Sequence, residues 1–119
     1  MNSSDWLCSL FSSIDAKDTE RFLGFLADDA AFRFGNGPIA EGKAAIGAAV
    51  DGFFATIRAS RHDVVRTWMP PGHCICHGSV TYTRLDGSTI TMPFANILGM
   101  RDGLINDYLI YIDPNPLFA

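Results

Sequence analysis

No apolar run in these 119 residues approaches the ~18–20 needed to span a bilayer. A membrane-spanning helix is therefore not expected. The opening stretch MNSSDWLCSLFSS has no positive flank and does not read as a secretory leader. Basic residues are few: nine Lys and Arg against thirteen Asp and Glu, for a net charge of −4. They form no stripe, which argues against nucleic acid and anionic membrane as partners. Cysteine is scarce and odd in number, three in all. That suits a reducing, cytoplasmic setting better than a disulfide framework. Repeats, linkers and low-complexity segments are missing too, so one domain spanning 1–119 is expected.

What is present is a long run of patterned apolar residues, and the clearest part is Thr89 to Asp113. The even positions Ile90, Met92, Phe94, Leu98 and Met100 are large and apolar, and Asn96 alone breaks the series. The odd positions are small or polar apart from Ile97. Period-2 alternation of this kind marks a strand with one face on a core. A lone amide on that face must find partners or cost free energy.

Upstream, Ser3 or Ser4 can cap a helix whose stripe is Trp6, Leu7, Leu10, Phe11 and Ile14. Asp18 can cap a second helix, with Phe22, Leu23, Phe25 and Leu26 inward, ending over Ala27–Ala30. Ala31 to Gly35 reads as a short strand with Phe32 and Phe34 on one face and Arg33 on the other. A loop at Gly35–Pro38 precedes a third helix from near Gly42 to about Ile57. Its buried side is Ile46, Ala49, Val50, Phe53, Phe54 and Ile57, and Gly47 and Gly52 can let it pack closely on a sheet. Strands follow at His62–Met69, at His73–Arg84, and in the final hairpin. Helices followed by antiparallel strands predict an α+β fold.

Face matching also predicts register. A three-residue loop at Leu85–Gly87, with Gly87 left-handed, pairs Cys76 with Asn96 and Gly78 with Phe94. The same loop at Arg101–Gly103 pairs Met100 with Leu104 and Asn96 with Tyr108. A two-residue Asp102–Gly103 loop is the alternative. It would turn Asp107 and Leu109 inward, at the expense of an unpaired buried carboxylate.

Several stretches together resemble the SnoaL-like branch of the nuclear transport factor 2-like superfamily. They are the opening helix pair through IDAKD and FLADDA, the strand FRFGN, the helix after EGKAAI, and the ending DGLINDYLIYID. The resemblance implies a cone of three N-terminal helices packed on a curved, mainly antiparallel sheet around an apolar cavity. Relatives include ketosteroid isomerases, limonene epoxide hydrolases, polyketide cyclases and non-catalytic association modules, so fold alone does not assign a function. Carried over position by position, the isomerase base falls on Phe34 and its oxyanion tyrosine near Leu10. The second oxyanion residue falls on Asn96, and the epoxide-hydrolase carboxylate on Ile110. Neither Phe34 nor Ile110 can take a proton. An ordinary isomerase or epoxide hydrolase is therefore not expected.

Candidate site residues follow. Phe32, Phe34, Trp68, Tyr82, Phe94, Asn96, Tyr108 and Ile110 are the expected pocket wall, though aromatic residues at such spacing also serve as plain core. Asn96, Tyr108 and His62 are the catalytic candidates. His62 can act as a base near neutral pH, or sit at a core edge, the commoner role. His73, Cys74, Cys76 and His77 look like a metal cluster in print. On a strand the cysteines point one way and the histidines the other, so no metal is expected. Asp28, Asp29 and Asp113 read as turn and boundary residues, and Asn36 as turn chemistry that can reach a cavity mouth. No cofactor is called for. Ile97, Ile105, Leu109 and Tyr111 would make an apolar outer face, suggesting a homodimer. The sequence thus points to a pocket for a small, largely apolar, oxygen-bearing ligand. The alternatives are a cofactor-free isomerase, cyclase or hydrolase using Asn96, Tyr108 and His62, and a non-catalytic dimeric module.

Overall fold

The computed structural model describes residues 3–119. Helix α1 (Ser3–Asp15) carries the expected stripe, with Leu7, Leu10 and Phe11 buried and Trp6 and Ile14 half-buried against them. The expected Ser3 or Ser4 cap rests on side chains outside the described ones. The helix ends on crossed hydrogen bonds, Asp18 N–H to Ser13 O and Lys17 N–H to Ile14 O, around Lys17 at φ 55°. That is a Schellman stop with lysine where glycine is usual. It costs strain, and the Lys17 ammonium reaches across to the Ile57 carbonyl.

Helix α2 (Thr19–Leu23) starts as expected, with Asp18 accepting from the Arg21 N–H, but is only five residues long. The stretch Ala27–Ala30, expected to end that helix, instead lies inside strand β1 (Leu26–Phe34). Pairing on either side of the segment overrides propensity here. β1 runs parallel to the last strand, Leu26 beside Ile105 and Phe32 beside Tyr108. Asp28 and Asp29 fall in the irregular part of that pairing, both exposed, where strand-averse residues are tolerated.

A two-residue strand β2 (Ala40–Glu41) precedes helix α3 (Lys43–Phe54), which stops three residues earlier than expected. Ile57 belongs instead to β3 (Ile57–Trp68). Two of its expected contacts also differ. Gly47 packs against Leu23 of α2 rather than on the sheet, and Gly52 has nothing near it. Ala49 is exposed. Strands β4 (His73–Arg84), β5 (Thr89–Arg101) and β6 (Leu104–Tyr111) complete one six-stranded sheet in the order β2-β1-β6-β5-β4-β3. A short helix α4 (Asn115–Phe118) follows, with Asp113 accepting from the Asn115 N–H at the exit of β6.

The β4–β5 register is as predicted: Cys76 pairs with Asn96 and Gly78 with Phe94 across a Leu85–Gly87 loop with Gly87 at φ 89°. A Cβ at Gly78 would stand 2.0 Å from the Asp63 carbonyl oxygen. Glycine is required because the β3 backbone presses on position 78 beside the register shift between Val64 and Arg66.

The last hairpin corrects the expected loop. Asp102 (φ 55°) and Gly103 (φ 80°) form the two-residue turn, so Arg101 pairs with Leu104 and Met100 with Ile105. A bulge then inserts Asn106, after which Gly99 pairs with Asp107, Leu98 with Tyr108 and Asn96 with Ile110. A side chain at Gly99 would collide with Asn106 and Asp107, at 3.0 and 3.1 Å, so the glycine accommodates the bulge. The extra residue restores the alternation that the short turn would have inverted. Tyr108 is fully buried, while Asp107 lies with Ala31 and Gly99 on the other face. Ile105, expected on the outer face, is fully buried in the core, leaving Ile97, Leu109 and Tyr111 outside.

Helices cover one face of the sheet, and the core between them includes Leu10, Phe22, Ile46, Val50, Phe94, Leu98 and Tyr108. Among the described residues no helix is long and apolar enough to cross a membrane.

Candidate functional site

The core is not filled to its centre. A cavity of about 250 Å³ lies between α1, α3 and the concave sheet face. Its wall includes Phe32 and Phe34 from β1, Tyr82 from β4, Phe94 and Asn96 from β5, and Tyr108 and Ile110 from β6. Seven of the eight expected wall residues therefore converge. Trp68 does not. It lies at the exposed end of β3, stacked on His77 at 5.6 Å and beneath the Arg66 guanidinium at 4.8 Å. Asn36 is exposed and contributes nothing to the wall, whereas Gly37 and Pro38 beside it do.

Apart from a few tips the wall is hydrocarbon. The polar side chains are His62, Tyr82, Asn96 and Tyr108, and no Lys, Arg, Asp or Glu is among the lining residues. Burial pushes both phenols up, Tyr82 and Tyr108 alike, so each stays a neutral O–H donor. Asn96 is 2% exposed, and its Oδ1 has no hydrogen-bond partner; nor has the Tyr108 hydroxyl. Two partnerless polar atoms packed inside the protein, each on a residue of the cavity wall, are costly to bury.

His62 was an open choice between base and core edge, and its surroundings are specific. The ring stacks on Phe11 (4.7 Å, 24°) and meets Phe94 edge-on (5.3 Å, 83°). Its Nδ1 lies 2.6 Å from Oδ1 of Asp15, whose Oδ2 accepts the His62 backbone N–H at 3.0 Å. Ser60 donates its hydroxyl to Oδ1 at 2.8 Å. Burial alone would raise the Asp15 carboxyl, and it is the largest single influence. The donors from His62 and Ser60 together outweigh it and hold the group below its ordinary value. Asp15 also closes part of the free edge of β3, the outermost strand, where an unpaired N–H would otherwise face outward.

Asp15 is the functional candidate that sequence reasoning missed. Two signals were available. It continues the Leu7–Phe11 row at i+4, on the core side of α1. It is also a carboxylate in the last turn of a helix, where the macrodipole disfavours negative charge and no basic residue compensates.

The other candidates separate as the alternation requires. Cys74 and Cys76 are buried, His73 is exposed and His77 half-buried on the opposite face. Among the described residues no group of three or more His, Cys, Asp and Glu could hold a metal ion. Burial pushes the Cys76 thiol up to about 12. Asp28 pairs with Lys43 at 3.5 Å and Asp29 with Arg101, all at the surface. Arg33 faces away from the cavity and donates to the Gly37 carbonyl at 3.1 Å.

Helices packed over one face of a curved sheet, with a mostly apolar pocket between the two, make up an α+β fold. The chain belongs to the SnoaL-like domain family, whose model matches residues 9–108. No curated protein matches it. Solved structures share the fold at low identity. An NTF2-like protein of unknown function from Burkholderia pseudomallei is 14% identical, with TM-score 0.87 over 99% of this chain and 95% of that one. A putative polyketide cyclase from Xanthomonas campestris pv. campestris is 19% identical, with TM-score 0.83 over 96% and 92%. TerC, co-crystallized with polyporic acid, is 18% identical, with TM-score 0.82 over 94% and 92%.

Proposed function

We propose that this chain binds a small, neutral, largely apolar molecule carrying an oxygen. The observation that carries the reading is the pair of partnerless polar groups, Asn96 Oδ1 and the Tyr108 hydroxyl, on two residues of the cavity wall. Burying them unpaired costs free energy that a ligand hydroxyl or carbonyl would recover. The amide offers an acceptor at one end and two donors at the other, and the phenol is a donor. A half-turn of the amide therefore adapts the pair to either a hydroxyl or a carbonyl ligand.

Size and charge narrow the ligand. A volume near 250 Å³ falls just below the ~300–1,000 Å³ typical of sites for drug-sized molecules, which suits one or two rings. With no cationic side chain on the wall, phosphates and carboxylates have nothing to pair with. The space left between Phe32, Phe34 and Phe94 speaks against a chamber packed solid for association alone. The co-crystallization of TerC with polyporic acid is in keeping with a ligand chamber in this fold. Three free cysteines accord with a reducing compartment.

The test is binding of 4-nitrophenol, a one-ring probe, followed by calorimetry at a pH well below its own pKa, where it is the neutral phenol. Asn96→Leu and Tyr108→Phe are each expected to weaken it about tenfold, the value of one hydrogen bond of ~1.4 kcal/mol. Unchanged affinity in both variants would refute the reading.

A further inference from the structure

A second hollow, of about 640 Å³, lies along the free edge of β3, between that strand and α1. Two residues, Phe11 and His62, line both this groove and the chamber. We propose that chamber and groove form one elongated site, with Phe11 as a movable partition. Its ligand is a ring that carries an unbranched alkyl tail, the ring in the chamber and the tail in the groove. The proposal rests on the binding reading above and adds the length and shape of the ligand.

Topology sets the groove apart from the chamber's other end. The chamber also reaches Gly37 and Pro38, in the loop that leads to β2. β2 and β3 are the two outer strands of the sheet, so the chamber runs across its concave face from one edge toward the other. On the β3 side the groove continues it. Leu7, Val64 and Val65 supply hydrocarbon there, and Val65 is 72% exposed. A methylene chain laid against them would remove that apolar surface from water. Arg66 and Thr67 lie further along the strand and leave the tail's end in polar company.

The two leaves of the partition are held differently. His62 is fixed by polar contacts. Its Nδ1 stands 2.6 Å from Asp15 Oδ1, and its backbone N–H donates to Oδ2 at 3.0 Å. Phe11 has only ring contacts, with His62 at 4.7 Å and with Phe94 at 5.7 Å. A helical phenylalanine has two favoured χ1 wells, and the groove gives the ring space to turn into. Such ring contacts are weak beside the burial of several methylenes. An entering tail therefore displaces Phe11 and leaves His62 in place on its Asp15 anchor.

Calorimetry with 4-ethylphenol and 4-hexylphenol, both neutral, tests the assignment. Each buried methylene is worth about fourfold in affinity, so the four extra ones should tighten wild-type binding by about tenfold or more after Phe11 is displaced. Val65→Asp puts a charge in the groove at an exposed position outside the chamber. It should weaken 4-hexylphenol about fivefold, the value of one or two methylenes, and leave 4-ethylphenol unchanged. Phe11→Trp, a larger partition, should likewise remove the advantage of the longer chain. Amide NMR shifts should reach Val65 and Thr67 with 4-hexylphenol and stop short of them with 4-ethylphenol. Circular dichroism checks that both variants fold. The same hexyl-to-ethyl affinity ratio in wild type and Val65→Asp would overturn the proposal, because the tail would then leave by the Gly37–Pro38 side. So would wild-type binding of 4-hexylphenol weaker than that of 4-ethylphenol, the mark of a closed chamber. If 4-ethylphenol and 4-nitrophenol both fail to bind, the binding reading itself fails, and this one with it.

Discussion

Asn96→Leu separates a residue kept for a ligand from one kept for the fold. Asn96 is buried, its Oδ1 has no partner, and its neighbours on the strand face are Phe94 and Leu98. An unsatisfied buried amide oxygen forfeits about 1–3 kcal/mol. Leucine removes that penalty, and the cavity beside position 96 gives the added methyl groups somewhere to go. The substitution should therefore stabilise the protein, measured without added ligand, by roughly 1–3 kcal/mol. For 119 residues the unfolding entropy is about 250 cal/mol/K near 60 °C, so each kcal/mol moves Tm by about 4 °C. Differential scanning calorimetry should show Tm raised by about 4–12 °C, while 4-nitrophenol binding weakens. Gain in stability with loss of binding is the pattern of a group kept for function. A Tm that falls, with binding intact, would mean that Asn96 is satisfied by the protein itself, and both functional readings would lose their foundation.

Four further outcomes are expected. Gly78→Ala, which drives a methyl to 2.0 Å from the Asp63 carbonyl oxygen, should destabilise the fold by several kcal/mol, measurable by urea denaturation; an unchanged midpoint would contradict the close approach of the β3 backbone to Gly78. Asp15 has a lowered carboxyl pKa, so its stabilisation is full above its unfolded value of ~3.9 and is lost as pH falls through and below it. Wild type should thus lose more stability than Asp15→Asn between about pH 5 and pH 3, and parallel acid curves would refute the Asp15–His62 contact. In the native protein at pH 8, Cys8 alone should react quickly with a thiol reagent, because Cys74 and Cys76 are buried and their thiols raised; fast reaction of all three would place β4 wrongly. Finally, we propose a homodimer on the outer sheet face around Ile97, Leu109 and Tyr111, so Tyr111→Glu should shift sedimentation toward monomer, and a wild type that is monomeric at micromolar concentration would rule it out.

Some of this was written in local sequence. Alternation along Ile90–Met100 fixed which face of β5 is buried, because a strand's side chains alternate whatever the strand pairs with. The same rule separated Cys74 and Cys76 from His73 and His77, and the glycine at position 87 set the β4–β5 loop and with it the facing of Cys76 and Asn96. The resemblance carried by IDAKD, FRFGN and DGLINDYLIYID extended that to the whole cone.

Tertiary structure decided the rest. The loop at Asp102–Gly103 and the bulge at Asn106 offset one another, so the sequence permitted Tyr108 inward by two routes, and only the pairing with β1 and β5 selects between them. Ala27–Ala30 became strand because the pairs on either side of it, Leu26 with Ile105 and Ala31 with Asp107, hold the segment extended. Trp68 left the expected wall because β3 bulges before reaching it. Above all, Asp15 and His62 are 47 residues apart, one ending a helix and the other within an edge strand. Their meeting depends on the packing of α1 against β3, which is set by the curvature of the whole sheet. Periodicity reports which way a side chain points, but not what it will find there.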